Sequence, residues 1–277
     1  MMTTRLGQQL IYAFSNQTQG GNPSYVIASS GTWPQFESEC IRIAQERACE
    51  VTHIHFDDTS GEAQLRFYVA SGAIAFCGHG ALAASAWAAA AGRVADSLLL
   101  DYGSGRLRTH IRTDGVLGFV EQAGVCRELV LDQGSRAQLA AMLFLPALPQ
   151  DVRVLLGGRQ RAKAMIVLPE QSLLRDLKVV PELRDQFCIQ HEVTGIYPML
   201  WRTDKIVRAR HFPLRAGENE DMATGNIAAT VAEMVGGDAL PSITIAQGGA
   251  DCSVARLQVH KLENGSWLVG GTCRFID

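Results

Sequence analysis

Two short stretches of small residues, about half a chain apart, constrain the fold more than any other feature of the sequence. Cys77-Gly78-His79 precedes an alanine-rich run that ends near Ala91, and Thr224-Gly225-Asn226 precedes a similar run that ends near Val235. Helices with Ala and Gly on every face fit inside a tightly curved sheet, where bulky side chains have no room. The pattern therefore predicts an α+β protein of two related, pseudo-symmetric lobes.

The predicted elements divide between the two lobes near residue 122, after which the pattern begins again. With 277 residues, 47% of them hydrophobic, the chain can bury a core in each lobe. We expect an N-terminal lobe of residues 1–122, completed by a last strand at 266–277, and a C-terminal lobe of residues 123–265. Each lobe is predicted to be a curved mixed sheet wrapped around one central helix. The expected helices are 33–48, 78–91, 136–143, 171–179 and 225–235, and the expected strands include 187–192.

Charge and cysteine content exclude several classes of function. The formal net charge is −3 and the basic residues are scattered, so nucleic acid is not an expected partner. The seven cysteines are dispersed without a C-x-x-C pair, which favours reduced thiols in the cytoplasm over disulfides. The first residues lack the apolar core of a signal peptide, and the alanine run at 81–91 is too short to span a bilayer. We expect a soluble cytoplasmic protein.

Each helix start is a candidate binding site for an anion. A helix N-terminus exposes unpaired backbone N–H groups and the positive end of its dipole, and glycine in the first turn lets a ligand approach closely. Two such termini facing each other across a cleft would hold a substrate carboxylate or an enolate-like charge. Two ordinary capped core helices would have the same sequence pattern, so the pattern alone leaves both interpretations open.

Four side chains near these helices are candidates for proton transfer. Cys77 suits either a base or nucleophile or simple core packing, and His79 suits either proton shuttling or capping. Glu50 opens an apolar strand, where a partly desolvated carboxylate can act as a general base, although single glutamates more often lie in exposed loops. Asp221 lies just before the second helix, either as a cap or as a group that orients His79.

Metal and nucleotide sites are not predicted. His53 and His55 share one face of a predicted strand, but no third ligand follows at a recognised spacing. The sequence has neither the G-x-x-x-x-G-K-[ST] pattern of a phosphate loop nor the G-x-G-x-x-G pattern of a dinucleotide site. We therefore expect no metal and no cofactor.

Four blocks of the sequence resemble the signature blocks of PhzF-like isomerases, in that family's order. They are GGNPSYVI (20–27), IAQERACEVTHI (43–54), FCGHGALAASAW (76–87) and GENEDMATGNIAA (217–229). The resemblance implies the diaminopimelate epimerase-like fold of two similar lobes. It also implies a cofactor-free, metal-free homodimer that acts on a small carboxylate-bearing metabolite, in an antibiotic-type biosynthetic pathway.

The same resemblance implies roles for individual residues. Glu50 matches the glutamate that removes a proton from carbon and returns it at another position, and His79 and Asp221 match its polar partners. The remaining implied site residues, all assigned to substrate binding, are Asn22, Cys77, Gly78, Gly80, Thr224, Gly225 and Asn226.

The sequence departs from the family pattern in three places. Met222 and Asn226 replace the usual Pro and Ser of E-D-P-A-T-G-S, and Gly80-Ala81 replaces the A-T of C-G-H-A-T. The R-P-S often found near the C-terminus is missing around Cys252-Ser253-Val254. These changes keep the acid/base residues but alter the pocket, so the phenazine substrate itself does not follow from the resemblance.

The second helix start distinguishes two mechanisms. Epimerases of this fold that invert a stereocentre use one thiol at each helix start, whereas this chain has Thr224 at the second, and a hydroxyl is too weakly acidic to replace a thiolate. We therefore expect a proton and double-bond shift, or tautomerisation, driven by Glu50. The alternatives are an amino-acid racemase or epimerase that uses Cys77 with Glu50, and a ligand-binding relative without catalysis.

Overall fold

The alanine-rich run after Cys77 is a helix enclosed by strands in the computed structural model of the chain. The structure describes residues 4–16, 19–31, 36–57, 62–94, 97–111, 116–159, 161–202, 205–217 and 219–276. The chain divides into a first unit of residues 1–121 and 268–277 and a second unit of residues 122–267. Both units combine helices with a mixed sheet, which confirms the predicted α+β class.

The helices and strands of the described residues follow one another in chain order, with one 3₁₀ turn at Gly237–Ala239. None of these helices is long and apolar enough to cross a membrane. The elements are β1 (Thr4–Ser15), β2 (Asn22–Ser30), α1 (Glu37–Arg47), β3 (Glu50–Phe56), β4 (Ala63–Val69), β5 (Gly72–Ile74), α2 (Gly78–Ala90), β6 (Ser97–Asp101), β7 (Arg106–Ile111), β8 (Leu117–Glu121), β9 (Cys126–Glu128), α3 (Gln133–Met142), β10 (Arg153–Gly157), β11 (Lys163–Val167), α4 (Gln171–Arg175), α5 (Pro181–Gln190), β12 (Gly195–Trp201), β13 (Ile206–Ala209), β14 (Phe212–Pro213), α6 (Gly225–Val235), β15 (Ser242–Gln247), β16 (Ala255–Lys261) and β17 (Trp267–Ile276).

The strands of the first unit pair in an order that returns to its starting strand. From β1 the neighbours run through β2, β3, β4, β6, β7, β8 and β17, and β17 pairs again with β1. The β2–β3 and β4–β6 pairs are parallel, and the β1–β2 and β3–β4 pairs are antiparallel. Helix α2 packs against β1, β2, β3 and β8, and all its residues from Gly78 to Ala86 are buried. This enclosure explains why the helix has small residues on every face.

Strand β3 lies between α2 and α1, and its alternating side chains face the two helices in turn. Val51 packs in the cluster that holds Cys40 and Ile43 of α1. Thr52 lies on the other face, next to Gly80 of α2. Glu50, two positions before Thr52, is on the same face as Thr52, and its side chain therefore reaches the start of α2.

The second unit is built on a row of strands. The order is β9, β10, β11, β12, β13, β15 and β16, with parallel pairs at β11–β12 and β13–β15 and antiparallel pairs elsewhere along the row. Helix α6 packs against β15 and β16. Helices α3, α4 and α5 contribute Leu139, Leu174 and Phe187 to a separate hydrophobic cluster with the strands.

Three of the predicted elements differ in the structure. The strand predicted at 187–192 is wrong, because Phe187 and Cys188 belong to helix α5, which begins with Pro181 in its first turn. Arg184, Phe187 and Cys188 are all buried, and their spacing of three and four positions places them on one face of a helix. The packing of that face overrides the strand preference of a short apolar run. The helix predicted at 171–179 ends at Arg175. The helix predicted at 33–48 begins at Glu37, and residues 33–35 lie outside the described part of the chain.

Candidate active site

Glu50, Cys77 and His79 meet in the first unit, where strand β3 and helix α2 begin. Glu50 is the first residue of β3 and lies opposite Ser24 of the parallel strand β2. Cys77 is the extended residue that precedes α2, and His79 lies in the first turn of that helix. The fold therefore brings together a carboxylate, a thiol and an imidazole from two separate segments of the sequence.

The Cys77 thiol links the start of the helix to the glutamate. Its Sγ accepts a hydrogen bond from the Gly80 backbone N–H at 3.1 Å and donates one to Glu50 Oε2 at 2.6 Å. Burial, with the adjacent Glu50 carboxylate, raises the pKa of Cys77 to about 12. Cys77 is therefore a thiol at neutral pH, because burial outweighs the tendency of a helix N-terminus to favour the thiolate.

The His79 ring lies between Glu50 and Asn22. Its Nε2 is 2.9 Å from Glu50 Oε2, an ion-pair distance without hydrogen-bond alignment, and its Nδ1 is 3.3 Å from Asn22 Nδ2. Burial acts to lower the pKa of His79, but the neighbouring Cys77 and Glu50 groups outweigh it and hold the pKa well above its usual value. The raised pKa favours protonation of the ring nitrogen that faces the Glu50 carboxylate.

Glu50 is the member of the cluster that solvent can reach. Its side chain is 30% exposed, whereas that of His79 is 10% exposed and Cys77 is buried. A single accessible carboxylate, held by a thiol donor and an imidazole, can accept a proton from a bound molecule and give it back.

The small residues at the start of α2 are required by packing. A Cβ atom at Gly80 would collide with Thr52 Oγ1 and would lie 3.0 Å from Cys77 Sγ. Gly78 is buried as the first helical residue. Any larger side chain at Gly80 would therefore move the thiol that contacts Glu50.

Asp221 and Thr224 meet in the second unit, in a hydrogen-bond network before helix α6. The Thr224 hydroxyl donates to Asp221 Oδ2 at 2.8 Å, and His211 Nδ1 lies 2.8 Å from Thr224 Oγ1 and 3.0 Å from Asp221 Oδ2. Gln247 Nε2 donates to Thr224 Oγ1 and to the Asp221 backbone oxygen, both at 2.8 Å. Gln247 Oε1 accepts from Tyr197 Oη at 2.8 Å and from the Thr224 N–H at 3.2 Å.

Counting donors in this network fixes the protonation of His211. The single hydroxyl hydrogen of Thr224 goes to Asp221, so both atoms that face His211 Nδ1 are acceptors. Nδ1 therefore carries the hydrogen and Nε2 is the bare nitrogen of a neutral ring. Burial lowers the pKa of His211 to about 4, although the hydrogen bond to Asp221 acts in the opposite direction. His211 is thus neutral at pH 7.

Sequence reasoning missed His211 and Gln247. His211 forms an isolated backbone bridge with Asp221, ten positions later, and that spacing matches no recognised motif. Gln247 is the last residue of β15, and it reaches Thr224 only because β15 packs beside α6. A polar residue at the end of an apolar strand was the only signal that pointed to it.

Gly225 and Asn226 form the first turn of α6. Gly225 is buried, and Thr224 before it makes no side-chain cap bond to the helix. Asn226 is half-buried, and within the described ranges its buried Oδ1 has no hydrogen-bond partner. The first turn of α6 therefore keeps polar backbone groups that its own cap residue does not satisfy.

Two clusters bear on metal binding. Ser29 Oγ lies 2.8 Å from His53 Nε2 and 2.9 Å from His55 Nδ1, so the histidine pair of strand β3 shares one buried hydroxyl. Burial lowers the pKa of His53 to about 4. Among the described residues, one set of three His, Cys or carboxylate side chains is close enough to hold an ion, and it is Glu50, Cys77 and His79.

The sequence matches a known family over most of its length. Residues 11–267 match the sequence profile of PhzC-PhzF, described as phenazine biosynthesis-like protein. A comparison with curated proteins gives no significant match.

The fold is similar to solved structures of low sequence identity. The PhzF-family phenazine biosynthesis protein of Bacillus anthracis superposes with a TM-score of 0.80 at 18% identity, over 100% of this chain and 98% of the other. The PhzF-family protein of Enterococcus faecalis gives 0.76 at 17% identity, over 100% and 98%. A hydroxyproline epimerase from Agrobacterium vitis, with bound trans-4-hydroxy-L-proline, gives 0.59 at 9% identity, over 100% and 91%. These similarities show a shared fold.

Proposed function

Because the chain belongs to the phenazine biosynthesis-like protein family, we propose that it is an isomerase that shifts a proton, and with it a double bond, in a small carboxylate-bearing metabolite. The observation that carries the proposal is the accessible Glu50 carboxylate, which contacts the Cys77 thiol at 2.6 Å and the His79 ring at 2.9 Å. This arrangement supplies acid/base chemistry from protein side chains alone, so the proposed reaction needs no cofactor.

In the proposed reaction Glu50 is first the base and then the acid. Its carboxylate takes a proton from one carbon of the substrate, and the electron pair of that C–H bond becomes part of the shifted double bond. The same carboxyl group then returns the proton to another carbon, so no proton or electron is gained or lost overall. Protonated His79 stabilises the negative charge that develops on the substrate.

Substrate binding is proposed at both helix starts. In the first unit, Asn22 lies against His79, and Cys77, Gly78 and Gly80 form the start of α2. Backbone N–H groups at a helix start attract a carboxylate, and glycine permits its close approach.

Residues of the second unit are included in the proposed site for two reasons. They match site residues of the family, and the backbone N–H groups at the start of a helix attract a carboxylate. Thr224, Gly225 and Asn226 begin α6, and Asp221 fixes the Thr224 hydroxyl at 2.8 Å. By family resemblance we assign Thr224, Gly225 and Asn226 to substrate binding and Asp221 to a catalytic role.

The proposal extends to the setting in which the enzyme works. The family description as phenazine biosynthesis-like supports a role in antibiotic-type biosynthesis. The dispersed cysteines support a cytoplasmic location, and the family resemblance supports a homodimer.

Hydrogen exchange with solvent tests the proposal for any substrate of this chemical class. The protein is incubated in D₂O with a panel of small unsaturated and amino-substituted carboxylic acids, and deuterium on carbon is followed by NMR and mass spectrometry. For any acid that exchanges, Glu50→Gln is expected to slow exchange by about 10²–10⁴-fold. Glu46→Gln, which changes an exposed glutamate of α1, is the matched control and retains the wild-type rate.

Wild-type rates in Glu50→Gln would overturn the assignment of the base. Binding of an acid without any exchange by the wild type would instead favour a ligand-binding protein without catalysis.

A second function, amino-acid racemisation or epimerisation, is favoured by the direct contact between Cys77 and Glu50. Glu50 is placed to accept the thiol hydrogen at 2.6 Å and so to generate a thiolate base. Cys77→Ser separates the two functions, because racemisation through a thiolate would collapse whereas a glutamate-driven shift would survive. Stereochemical analysis of the product by chiral chromatography gives the same distinction.

A further inference from the structure

We propose that Glu50, Cys77 and His79 form a Zn²⁺ site that inhibits the enzyme when occupied, the inhibitory part resting on the function proposed above. The donor atoms of the three side chains all lie within 4.8 Å of one another. They comprise one sulfur, one imidazole nitrogen and one carboxylate oxygen, which are the three ligand types that zinc uses most in proteins.

The geometry needs only a small expansion to accept the ion. Ligand atoms around tetrahedral zinc lie about 3.4 to 3.6 Å apart, given usual metal–ligand lengths. Here Cys77 Sγ is 2.6 Å and His79 Nε2 is 2.9 Å from Glu50 Oε2. The carboxylate must therefore move by less than about 1 Å, towards the solvent that reaches its 30% exposed side chain. That exposure also leaves a fourth position open to water.

The surroundings already hold two of the ligands in place. The Gly80 N–H donates to Cys77 Sγ at 3.1 Å, and Asn22 lies 3.3 Å from His79 Nδ1, which leaves Nε2 to face Glu50. Groups that fix the orientation of ligands in this way contribute substantially to metal affinity. A thiolate and a carboxylate together cancel the charge of the ion, so the occupied site carries no net charge.

Zinc binding displaces protons from its ligands. Cys77 binds zinc as the thiolate and His79 binds it through an unprotonated Nε2, so zinc competes with protons at both atoms. Cys49 is another titratable group near Glu50 and His79, and it does not belong to the ligand set.

The histidine pair elsewhere in the first unit does not compete as a zinc site. One ring nitrogen of His53 and one of His55 lie within hydrogen-bonding distance of the same Ser29 hydroxyl. Among the described residues no third His, Cys or carboxylate atom joins them at metal-binding distance.

Zinc occupation blocks the proposed reaction for a direct reason. Glu50 must have a free carboxylate oxygen to take a proton from carbon, and the metal occupies the oxygen that faces Cys77 and His79. His79 also loses its positive charge, so the developing negative charge on the substrate is no longer stabilised by it.

Calorimetric titration of the reduced, chelator-treated full-length protein with zinc chloride tests the binding. The expected result is one Zn²⁺ per chain with release of protons on binding, measured from the dependence of the heat on buffer ionisation. Co²⁺ used as a spectroscopic substitute is expected to show a thiolate-to-cobalt absorption band.

The variants assign the ligands. Cys77→Ser and Glu50→Gln are each expected to weaken zinc binding by about 100-fold, and Cys77→Ser also removes the cobalt band. Cys49→Ser, which changes the neighbouring cysteine, retains both the affinity and the band. Wild-type affinity in Cys77→Ser, or loss of the band in Cys49→Ser, would overturn the site.

Measurements with substrate separate this inference from the proposed function. If metal-free protein catalyses exchange and one equivalent of zinc stops it until a chelator is added, both stand. If zinc binds but exchange continues, the inhibitory role is wrong. If the metal-free protein shows no exchange, the proposed function fails while the titrations still decide the metal site. If exchange occurs but zinc does not bind, only the metal site fails.

Discussion

The two helix starts have the same backbone plan and opposite electrostatics. Each has a small polar residue before a buried glycine, followed by a helix of small residues. At the first start the pKa of His79 is raised beside an accessible carboxylate, whereas at the second the pKa of His211 is lowered and its nearest polar neighbours are hydrogen-bonded to one another.

The difference shows what each arrangement is suited to do. In the second network both the amide oxygen and the amide nitrogen of Gln247 are hydrogen-bonded, and the Thr224 hydroxyl both donates and accepts a hydrogen bond. These side chains therefore have few donors or acceptors left to bind another molecule. At the first start Glu50 retains an exposed face and a charged neighbour. We therefore expect substitutions at the second start to reduce stability most, and substitutions at the first to reduce activity most.

The largest expected difference concerns the histidines, whose effects on stability have opposite pH dependences. The pKa of His211 is lowered from 6.5 to about 4 in the folded protein. The stability that depends on neutral His211 is therefore present above about pH 6.5 and is lost as the pH falls towards 4, by roughly 3 kcal/mol. The pKa of His79 is raised, so its stabilisation is full below about pH 6.5 and is lost as the pH rises through the folded-state pKa.

Urea unfolding between about pH 4.5 and 8 measures this contrast. The free energy of unfolding of the wild type is compared at each pH with that of His211→Gln and of His79→Gln. The wild-type advantage over His211→Gln should shrink towards acid pH, and the advantage over His79→Gln should shrink towards alkaline pH. Slopes of the same sign would show that the two helix starts are not opposite in charge.

The carboxylates give the second contrast. Asp221 Oδ2 accepts hydrogen bonds from the Thr224 hydroxyl and the His211 N–H. In Asp221→Asn a neutral amide takes the place of this carboxylate, and it accepts the two hydrogen bonds less strongly. The free energy of unfolding of this variant is expected to fall by about 2 kcal/mol. Glu50→Gln is expected to cost less than this, because water reaches that side chain and His79 can lose its proton when the neighbouring charge is removed. Denaturant unfolding at pH 7 compares the two variants, and equal losses would contradict the division into a scaffold and a reactive site.

The α+β class and both central helices are predictable from the sequence, because a helix with small residues on every face packs well only where strands closely surround it. The alanine run after Cys77 fits only a narrow space, and the ring of strands provides it. The helix α5 was missed for the opposite reason, since Phe187-Cys188-Ile189 is short, apolar and equally suited to a strand by composition. Its first-turn proline was the local signal that favoured a helix.

The site was predictable only in part, because most of its contacts join distant segments. Glu50, Cys77 and His79 were singled out by family resemblance and by helix-start chemistry, but their mutual contacts follow from the parallel pairing of β2 with β3 around α2. The raised pKa of His79 depends on its Cys77 and Glu50 neighbours and the thiol state of Cys77 on burial, and spacing along the chain reveals neither. His211 had no signal at all, because its partner Asp221 is reached through an isolated bridge.

The smallest expected contrast concerns the residues that precede the helices. Cys77 accepts the Gly80 N–H, whereas Thr224 makes no cap bond to its helix. Cys77→Ala therefore removes a cap and is expected to lower the free energy of unfolding by about 1 kcal/mol, while Cys77→Ser keeps an acceptor and loses less. At the second start Thr224→Ser should be as well tolerated, because it keeps the hydroxyl that joins Asp221 to Gln247. Thermal and denaturant unfolding of the three variants measures these differences. If Cys77→Ser is as unstable as Cys77→Ala, the sulfur stabilises the helix start by its size and not as a cap.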